Sequence, residues 1–320
     1  MIRYIIRRLI HTIPLLLGIT VISFVIISLA PGDYFTRLEL NPEISRETLK
    51  RMREEFGLDK PIYIQYIKWL WRILHLDFGI SFAYHIPVIT LIKQRLPNTL
   101  LLSLVVLFLL WTISIPIALF SAIHKYKAFD KLVSIFSYIS MSLPSFFIAF
   151  IFIFIACHTH ILPIGGIVSI DHDELSFFGK IKDIVSHLVI PASCIILGGL
   201  GWQIRIMRGY VLEVLESPFI TGAKARGVSE SKVIFKHTLR NAMNPMITIF
   251  GFHLSSILSG SALIEIITRW PGMGRLIYDA VLSQDLYLVM GSLVISSILL
   301  IIGNLIADIL LALCDPRIRH

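Results

Sequence analysis

Charge is what this chain has least of. Only 16% of its 320 residues are Asp, Glu, Lys or Arg, while 56% are hydrophobic and the mean hydropathy is +0.79. Soluble domains carry about 25% charged and about 45–50% apolar residues, so a soluble globular fold is excluded. Cysteine is almost absent: Cys157, Cys194 and Cys314 share no CxxC spacing and read as small packing residues. No GxxxxGK[ST] stretch occurs, so the chain does not bind ATP by a phosphate loop. HExxH and GxSxG are also missing, and the apolar stretches hold no convincing Ser–His, Asp–Asp or zinc set, which argues against a membrane enzyme. The one mid-span imidazole, His253, reads as hydrogen-bonded packing. No carboxylate lies in the middle of an apolar run; Arg205, Arg208, Glu265 and Asp308 stand at the ends. An ionised side chain costs about 2.5–3.5 kcal/mol at the bilayer centre and marks ion pathways where it is tolerated. Its absence, and the lack of an internal repeat, count against an ion-driven secondary transporter.

What the chain does have is length of apolar sequence. Six stretches are long enough to cross a bilayer as helix: Leu9–Pro31, Asn98–Ile123, Leu132–Cys157, Ile184–Ile204, Asn241–Ile264 and Leu286–Ala307. The predicted fold class is therefore all-α, a polytopic membrane protein of six spans in one domain over 1–320, with a core of spans two to six over 98–312. The apolar run near the N-terminus is too long for a signal peptide, and no small-residue cleavage site precedes "APGD". Basic residues in short loops set orientation. Arg3, Arg7 and Arg8, then Lys125, Lys127 and Lys131, then the stretch Arg205–Arg240, and finally Arg317 and Arg319 fall on one side. Both termini are thus expected in the cytoplasm. The same asymmetry accounts for much of the net charge of +8, so the pI of 9.4 is no sign of nucleic-acid binding.

Residues 32–97 form an expected extracytoplasmic insertion between spans one and two. It reads as two amphipathic helices around a Gly-Leu-Asp-Lys-Pro turn, with Leu49, Met52 and Phe56 on one apolar face and Ile64, Ile67, Leu70 and Trp71 on the other. Its aromatics Tyr63, Tyr66, Trp69 and Trp71 suit the membrane interface. Pro116, Pro144, Pro191 and Pro245 interrupt spans and predict kinks.

The stretch "SPFITGAKARGVSESKVIFKH", Ser217–His237, is polar and basic among oily neighbours, and lies in an expected cytoplasmic loop over 209–240. Ser217 suits an N-cap and Pro218 the first helical position. Lys224 and Arg226 favour the negative end of the helix dipole, and Gly227 suits the left-handed residue that ends it. Ser229 then caps a second helix returning to the membrane. Phe219, Ile220 and Ala223 are expected on one face of the short helix, which reads either as a socket for an external engine or as an ordinary helix in the headgroups.

Two outer stretches compete for function. "HTHILPIGGIVSIDHDE" gathers His158, His160, Asp171, His172, Asp173 and Glu174, which are either solvated or metal ligands; no residue is assigned to a metal. "TRWPGMGRLIYDAV" reads as a turn and short helix, either a connector or a gate.

The chain resembles a family. Span order, the large outer segment and "FITGAKARGVSESKVIFKHTLRNAMNPMI" look like the inner-membrane permeases of binding-protein-dependent ABC importers, peptide/nickel group, B-type subunit. "APGD", "FGLDKPIYIQYIKWL", "LDFGISF", "LPNTLLLS", "LPSFF", "LPIGG", "WPGMGRLIYDAVLSQDLYLVMG" and "DPRIR" match in order along essentially the whole length. The resemblance implies a type I ABC importer permease fold in a bacterial inner membrane, with no catalytic residue or cofactor in this chain. Its partners would be a homologous second permease, one or two ATP-binding subunits carrying ATP and Mg, and an extracytoplasmic solute-binding protein. Peptides are the implied cargo, with nickel or another small solute as the alternative. The coupling loop of that family maps onto Phe219, Ile220, Ala223, Lys224, Ala225, Arg226 and Gly227, with its tail on Asn241, Ala242 and Pro245. Where members often carry Arg-Thr before the Ala, this chain has Thr221-Gly222. The region of Trp270, Pro271, Gly272 and Gly274 lies near the outer gate in similar proteins.

Overall fold

A computed structural model of the chain describes residues 2–39, 45–260 and 262–314. Among these residues every regular element is helical, apart from one isolated bridge between Ile80 and Pro87. Four long helices are apolar enough to cross a membrane: α1 (Ile2–Leu29), α5 (Val88–Ile123), α8 (Phe177–Leu215) and α13 (Leu286–Cys314). Between α1 and α5 come α2 (Tyr34–Leu38), α3 (Arg46–Phe56) and α4 (Ile62–Leu74). The remaining helices are α6 (Ala128–Ser142), α7 (Ser145–Thr159), α9 (Pro218–Ala225), α10 (Arg240–Gly260), α11 (Ala262–Ile267) and α12 (Met273–Leu282). Arg317, Arg319 and the "DPRIR" match lie outside the described residues.

The third expected span is not one kinked helix. It is two, α6 and α7, bent by 96° at Leu143–Pro144. Proline ring sterics drive the preceding residue out of the helical region, and Leu143 is accordingly extended at φ −96° and ψ 121°. Pro116, Pro191 and Pro245, in contrast, stay inside unbroken helices. The pair counts as a fifth span if taken as one. The expected fifth stretch forms α10, where Asn241, Asn244, Pro245 and His253 interrupt the apolar sequence. It packs along α13 and against α5 instead of standing alone.

Two packed regions organise the helices. Leu102, Val106 and Leu110 of α5 meet Ala192, Ile196, Leu200 and Ile204 of α8 and Ala242 and Met246 of α10. Small residues bring α6 onto α8: a Cβ on Gly201 would sit 2.5 Å from the Ser137 carbonyl oxygen, and Gly201 N donates to Ser140 Oγ at 3.1 Å. The second region joins Phe24 of α1, the helices α2, α3 and α4, and Leu288, Met290 and Val294 of α13. Towards the outside, α1 exposes Ile10, Ile13, Ile22 and Ile26, and α7 exposes Phe146, Phe147, Phe150 and Phe154, as lipid requires.

The insertion forms its two helices around a left-handed Gly57 at φ +71°, where the turn was expected. Its second apolar face is rotated from expectation. Trp69 is buried with Tyr66, Leu70 and Ile73 beside it, while Ile67 and Trp71 point outward at 61% and 66% exposure. Both sides of α4 are apolar, so periodicity alone could not choose; the rings of Phe24 on α1, 5.5 Å from Tyr66 and 6.1 Å from Trp69, decide it.

Candidate functional site

The polar cassette is a short helix hung from the end of α8. Pro218 occupies its first turn, where a missing N–H costs nothing. Ser217 does not cap it through its side chain. Its Oγ donates back to the Val214 carbonyl at 2.7 Å, tying the corner to α8 instead. The other end closes as the glycine predicts. Gly227 N donates to Lys224 O at 2.9 Å and Val228 N to Ala223 O at 3.3 Å, the paired bonds of a Schellman motif, with Gly227 at φ +75°.

The expected single apolar face of α9 divides in two. Ile220 and Ala223 are buried at 0% and 1% exposure, whereas Phe219 is 50% exposed. Around the helix Ala223 lies between the other two, about 40° from Phe219 and about 60° from Ile220, so the burial boundary falls between Ala223 and Phe219, and Ile220 and Ala223 anchor the helix. Lys224, Ala225, Arg226 and Gly227 lie outward. The second helix begins helically at Glu230 and then runs as a π-helix over Lys232–Leu239, with Ser229 giving its carbonyl to Val233 N at 3.0 Å. Wide turns of this kind concentrate at functional positions. Val233 and Thr238 are buried against the protein, and the His237 ring meets Phe219 edge-on at 5.6 Å.

An open cavity of about 360 Å³ beside α9 is lined by Glu213, Val214, Ser217, Phe219 and Asn241. It brings Asn241 of α10 beside Phe219 of α9. The Asn241 amide also donates to His237 O at 2.7 Å. Pro245, one turn further along α10, is half-buried inside that helix and does not reach the cavity.

Next to the cassette lies a charge cluster that the sequence did not reveal. Asp130, 3% exposed, accepts from Arg208 Nε at 2.6 Å, Arg208 Nη2 at 2.8 Å, Ser121 Oγ at 2.6 Å and Tyr126 N at 2.8 Å. Lys125 Nζ donates to Glu216 Oε1 at 2.5 Å. Sequence marked Arg208 only as a span-end charge; its partner is 78 residues away.

The stretch from Glu265 to Gly274 is a buried cage. Trp270 is fully buried and its Nε1 donates to Asn98 O at 3.1 Å, while Asn98 Nδ2 donates to the Pro271 carbonyl at 2.8 Å. Glu265, also fully buried, accepts from Thr99 Oγ1 at 2.8 Å and from Gly274 N at 2.7 Å. A Cβ on Gly272 would stand 2.4 Å from the Glu265 carboxylate, and one on Gly274 would stand 2.4 Å from Ala262 Cα. The glycines are there for space. A second buried acid, Asp285, accepts from Ser81 Oγ at 2.5 Å, Ala83 N at 3.0 Å and Leu288 N at 3.1 Å, capping α13 and binding the insertion to it. An acid one residue before the run "LYLVMG" was a readable cap signal.

The outer histidines disperse. His172 Nδ1 is paired with Asp183 Oδ2 at 2.7 Å, and His158, His160, Asp171, Asp173 and Glu174 are not gathered with it. Among the described residues no three His, Cys, Asp or Glu side chains are placed to hold a metal ion. His253 packs its ring on Trp202 at 5.4 Å.

The family described as binding-protein-dependent transport system inner membrane component matches residues 114–320, and the N-terminal membrane component of such systems matches residues 1–105. The chain belongs to this family. It is similar to the oligopeptide transport system permease protein AppB of Bacillus subtilis (strain 168), 41% identical over 319 residues and 99% of each chain. The dipeptide transport system permease protein DppB of Escherichia coli (strain K12) is 33% identical over 339 residues, covering 100% of this chain and 99% of that one. A probable peptide ABC transporter permease, y4tP, of Sinorhizobium fredii is 33% identical over 318 residues and 99% of each chain. This permease is therefore a multi-pass inner-membrane subunit of a binding-protein-dependent ABC importer, and not itself an enzyme. Such a system comprises a partner permease, an ATPase and a binding protein.

Proposed function

We propose that this permease passes peptides across the inner membrane as half of a translocation pathway, driven through α9 by ATP hydrolysed on partner subunits. Peptide as cargo is supported by the names of its relatives. The observation that carries the coupling is the division of α9: Ile220 and Ala223 fix it to the protein, while Phe219 and the basic end stay outside. Aromatic side chains, phenylalanine included, are enriched at protein interfaces, and Phe219 stands half-exposed on an anchored helix. A homologous second permease supplies the other half, one or two ATPase subunits hold ATP and Mg, and a solute-binding protein delivers cargo outside. Two closing ATPases draw the coupling helices together, and the spans rock between inward and outward access. In this reading α10 is the fifth of six spans, both termini are cytoplasmic, 32–97 lies outside, 98–312 is the core and 209–240 is the coupling loop. Trp270, Pro271, Gly272 and Gly274 belong to the outer gate as its rigid hinge-point, since they are locked to α5 and Glu265.

The test is a crosslink. Arg226→Cys, with a short bifunctional reagent, is expected to capture an ATPase subunit in membranes of the assembled transporter. Phe219→Ala is expected to weaken ATPase association by about 2 kcal/mol, roughly thirty-fold, with permease abundance unchanged. Absence of any ATPase adduct from positions 224 to 226 sinks the reading.

A further inference from the structure

We propose that Asp130 and Arg208 are positioning residues: a buried clasp that passes displacement of the coupling helix into α5 and α6. This rests on α9 being the seat of the ATPase. Force applied there reaches the spans first through α8, from whose end α9 hangs. Pulling on the foot of one helix bends or tilts that helix alone, unless its neighbours are tied to it. Apolar packing ties them weakly against sliding, because one methyl contact replaces another as helices shift. A charge-assisted, bidentate bond resists sliding, since its geometry is lost within a fraction of an ångström.

The molecule has such a bond in the required place. Arg208 lies eight residues before Glu216, about 12 Å along the axis at 1.5 Å per residue. Its guanidinium fork meets both oxygens of Asp130, which is on the first turn of α6. The same carboxylate accepts from Ser121 on α5 and from the backbone N–H of Tyr126 in the connecting loop. Three segments therefore converge on one buried anion. Tyr126 is held at φ +66°, a conformation a tyrosine seldom adopts unaided. The loop is thus shaped around the carboxylate and not merely near it. At the level of the corner itself, Lys125 of that loop reaches Glu216, the residue that separates α8 from Ser217 and α9. The loop between α5 and α6 is consequently gripped at two heights, by Glu216 at the root of the coupling helix and by Arg208 further in. Beyond the clasp, α6 runs to the 96° break at Leu143–Pro144 and lies on α8 through the Gly201 seam, so its displacement is handed onward.

A buried ion pair is weak testimony for stability by itself, because desolvation offsets much of its attraction. Its value here is rigidity of register. The prediction is accordingly a change in transport per ATP hydrolysed, which a purely structural role would leave alone. The experiment uses the complete transporter in proteoliposomes, with loaded binding protein supplied. In Asp130→Asn the shape is kept and the charge removed. In Arg208→Lys the charge is kept and the fork lost, and the two nitrogens no longer grip both oxygens. Both are expected to retain ATPase subunits and the Arg226→Cys adduct, yet to move about tenfold less solute per ATP, a size typical of coupling between linked sites. The exposed pair offers a rescue: Lys125→Glu and Glu216→Lys each lower that ratio, and the two together restore it. An unchanged ratio in Asp130→Asn and Arg208→Lys, with the adduct intact, overturns the clasp alone. A loss of uptake strictly proportional to lost complex also overturns it. If the adduct fails in the otherwise wild-type chain, the seat of α9 is refuted, and the clasp falls with it.

Discussion

Replacing Gly227 tests the corner that closes α9, the proposed coupling helix. Its φ of +75° is open to glycine and costs an L-residue with a Cβ roughly 1–2 kcal/mol. A Cβ built there meets nothing within 4 Å, so no steric clash enters the comparison and the effect is purely that of backbone conformation. In Gly227→Ala the ratio of formed to unformed corner should fall about 5- to 30-fold. Gly227→Asn should fall less, since asparagine tolerates the left-handed region. Gly227→Pro is the severe case. The ring sets φ near −65° and removes the N–H that donates to Lys224 O at 2.9 Å, so the Schellman pair cannot form. An eight-residue helix has little stability of its own and loses its end. The assay is uptake and receptor-stimulated ATP hydrolysis in proteoliposomes, normalised to permease abundance. The expected order of both activities is Gly, Asn, Ala, Pro, with insertion into the membrane unchanged. Wild-type transport by the proline variant at normal abundance would refute the reasoning.

The companion position gives the opposite sign. Gly222→Ala, inside α9 with no atom within 4 Å of the new Cβ, should stabilise the helix by about 1 kcal/mol and keep or raise transport; a loss of ATPase coupling would count against a helical α9. At the start of α12, Gly274→Ala drives a Cβ into Ala262 and should cost about 1–3 kcal/mol, seen as a lower melting temperature of the purified complex. Asp285→Ala leaves Ser81, Ala83 and Leu288 without their acceptor, and each orphaned buried donor costs about 1–3 kcal/mol. Faster proteolysis of the 32–97 segment, with α5 and α8 intact, is the expected readout.

Much of the architecture could be read along the chain. Uninterrupted apolar runs marked α1, α5, α8 and α13, because lipid leaves a backbone no option but to satisfy itself within a helix. Pro218 marked the start of α9 and Gly227 the turn just beyond its end at Ala225, since each acts through its own ring or missing Cβ. Pro144 was legible as a disturbance but not as a 96° break. A lone proline only unseats its neighbour, and whether the helix resumes straight depends on what the following turns pack upon. Pro116 and Pro191, likewise flanked by apolar sequence, left α5 and α8 continuous. The rotated face of α4 and the outward Phe219 have the same origin. Where apolar residues surround a helix, periodicity marks more than one candidate stripe, and a partner helix selects among them.

Composition, span length and the local capping code were enough to establish an all-α membrane chain with a glycine-ended elbow after α8. Each of those features is governed by interactions within a few residues or with the solvent. The acids were a different matter. Asp130, Glu265 and Asp285 look like ordinary span-end charges until α8, α5 and the outer loop are folded against them, with partners 78, 166 and 204 residues distant. A buried carboxylate is defined by which donors surround it, and those donors are assembled only when the helices pack.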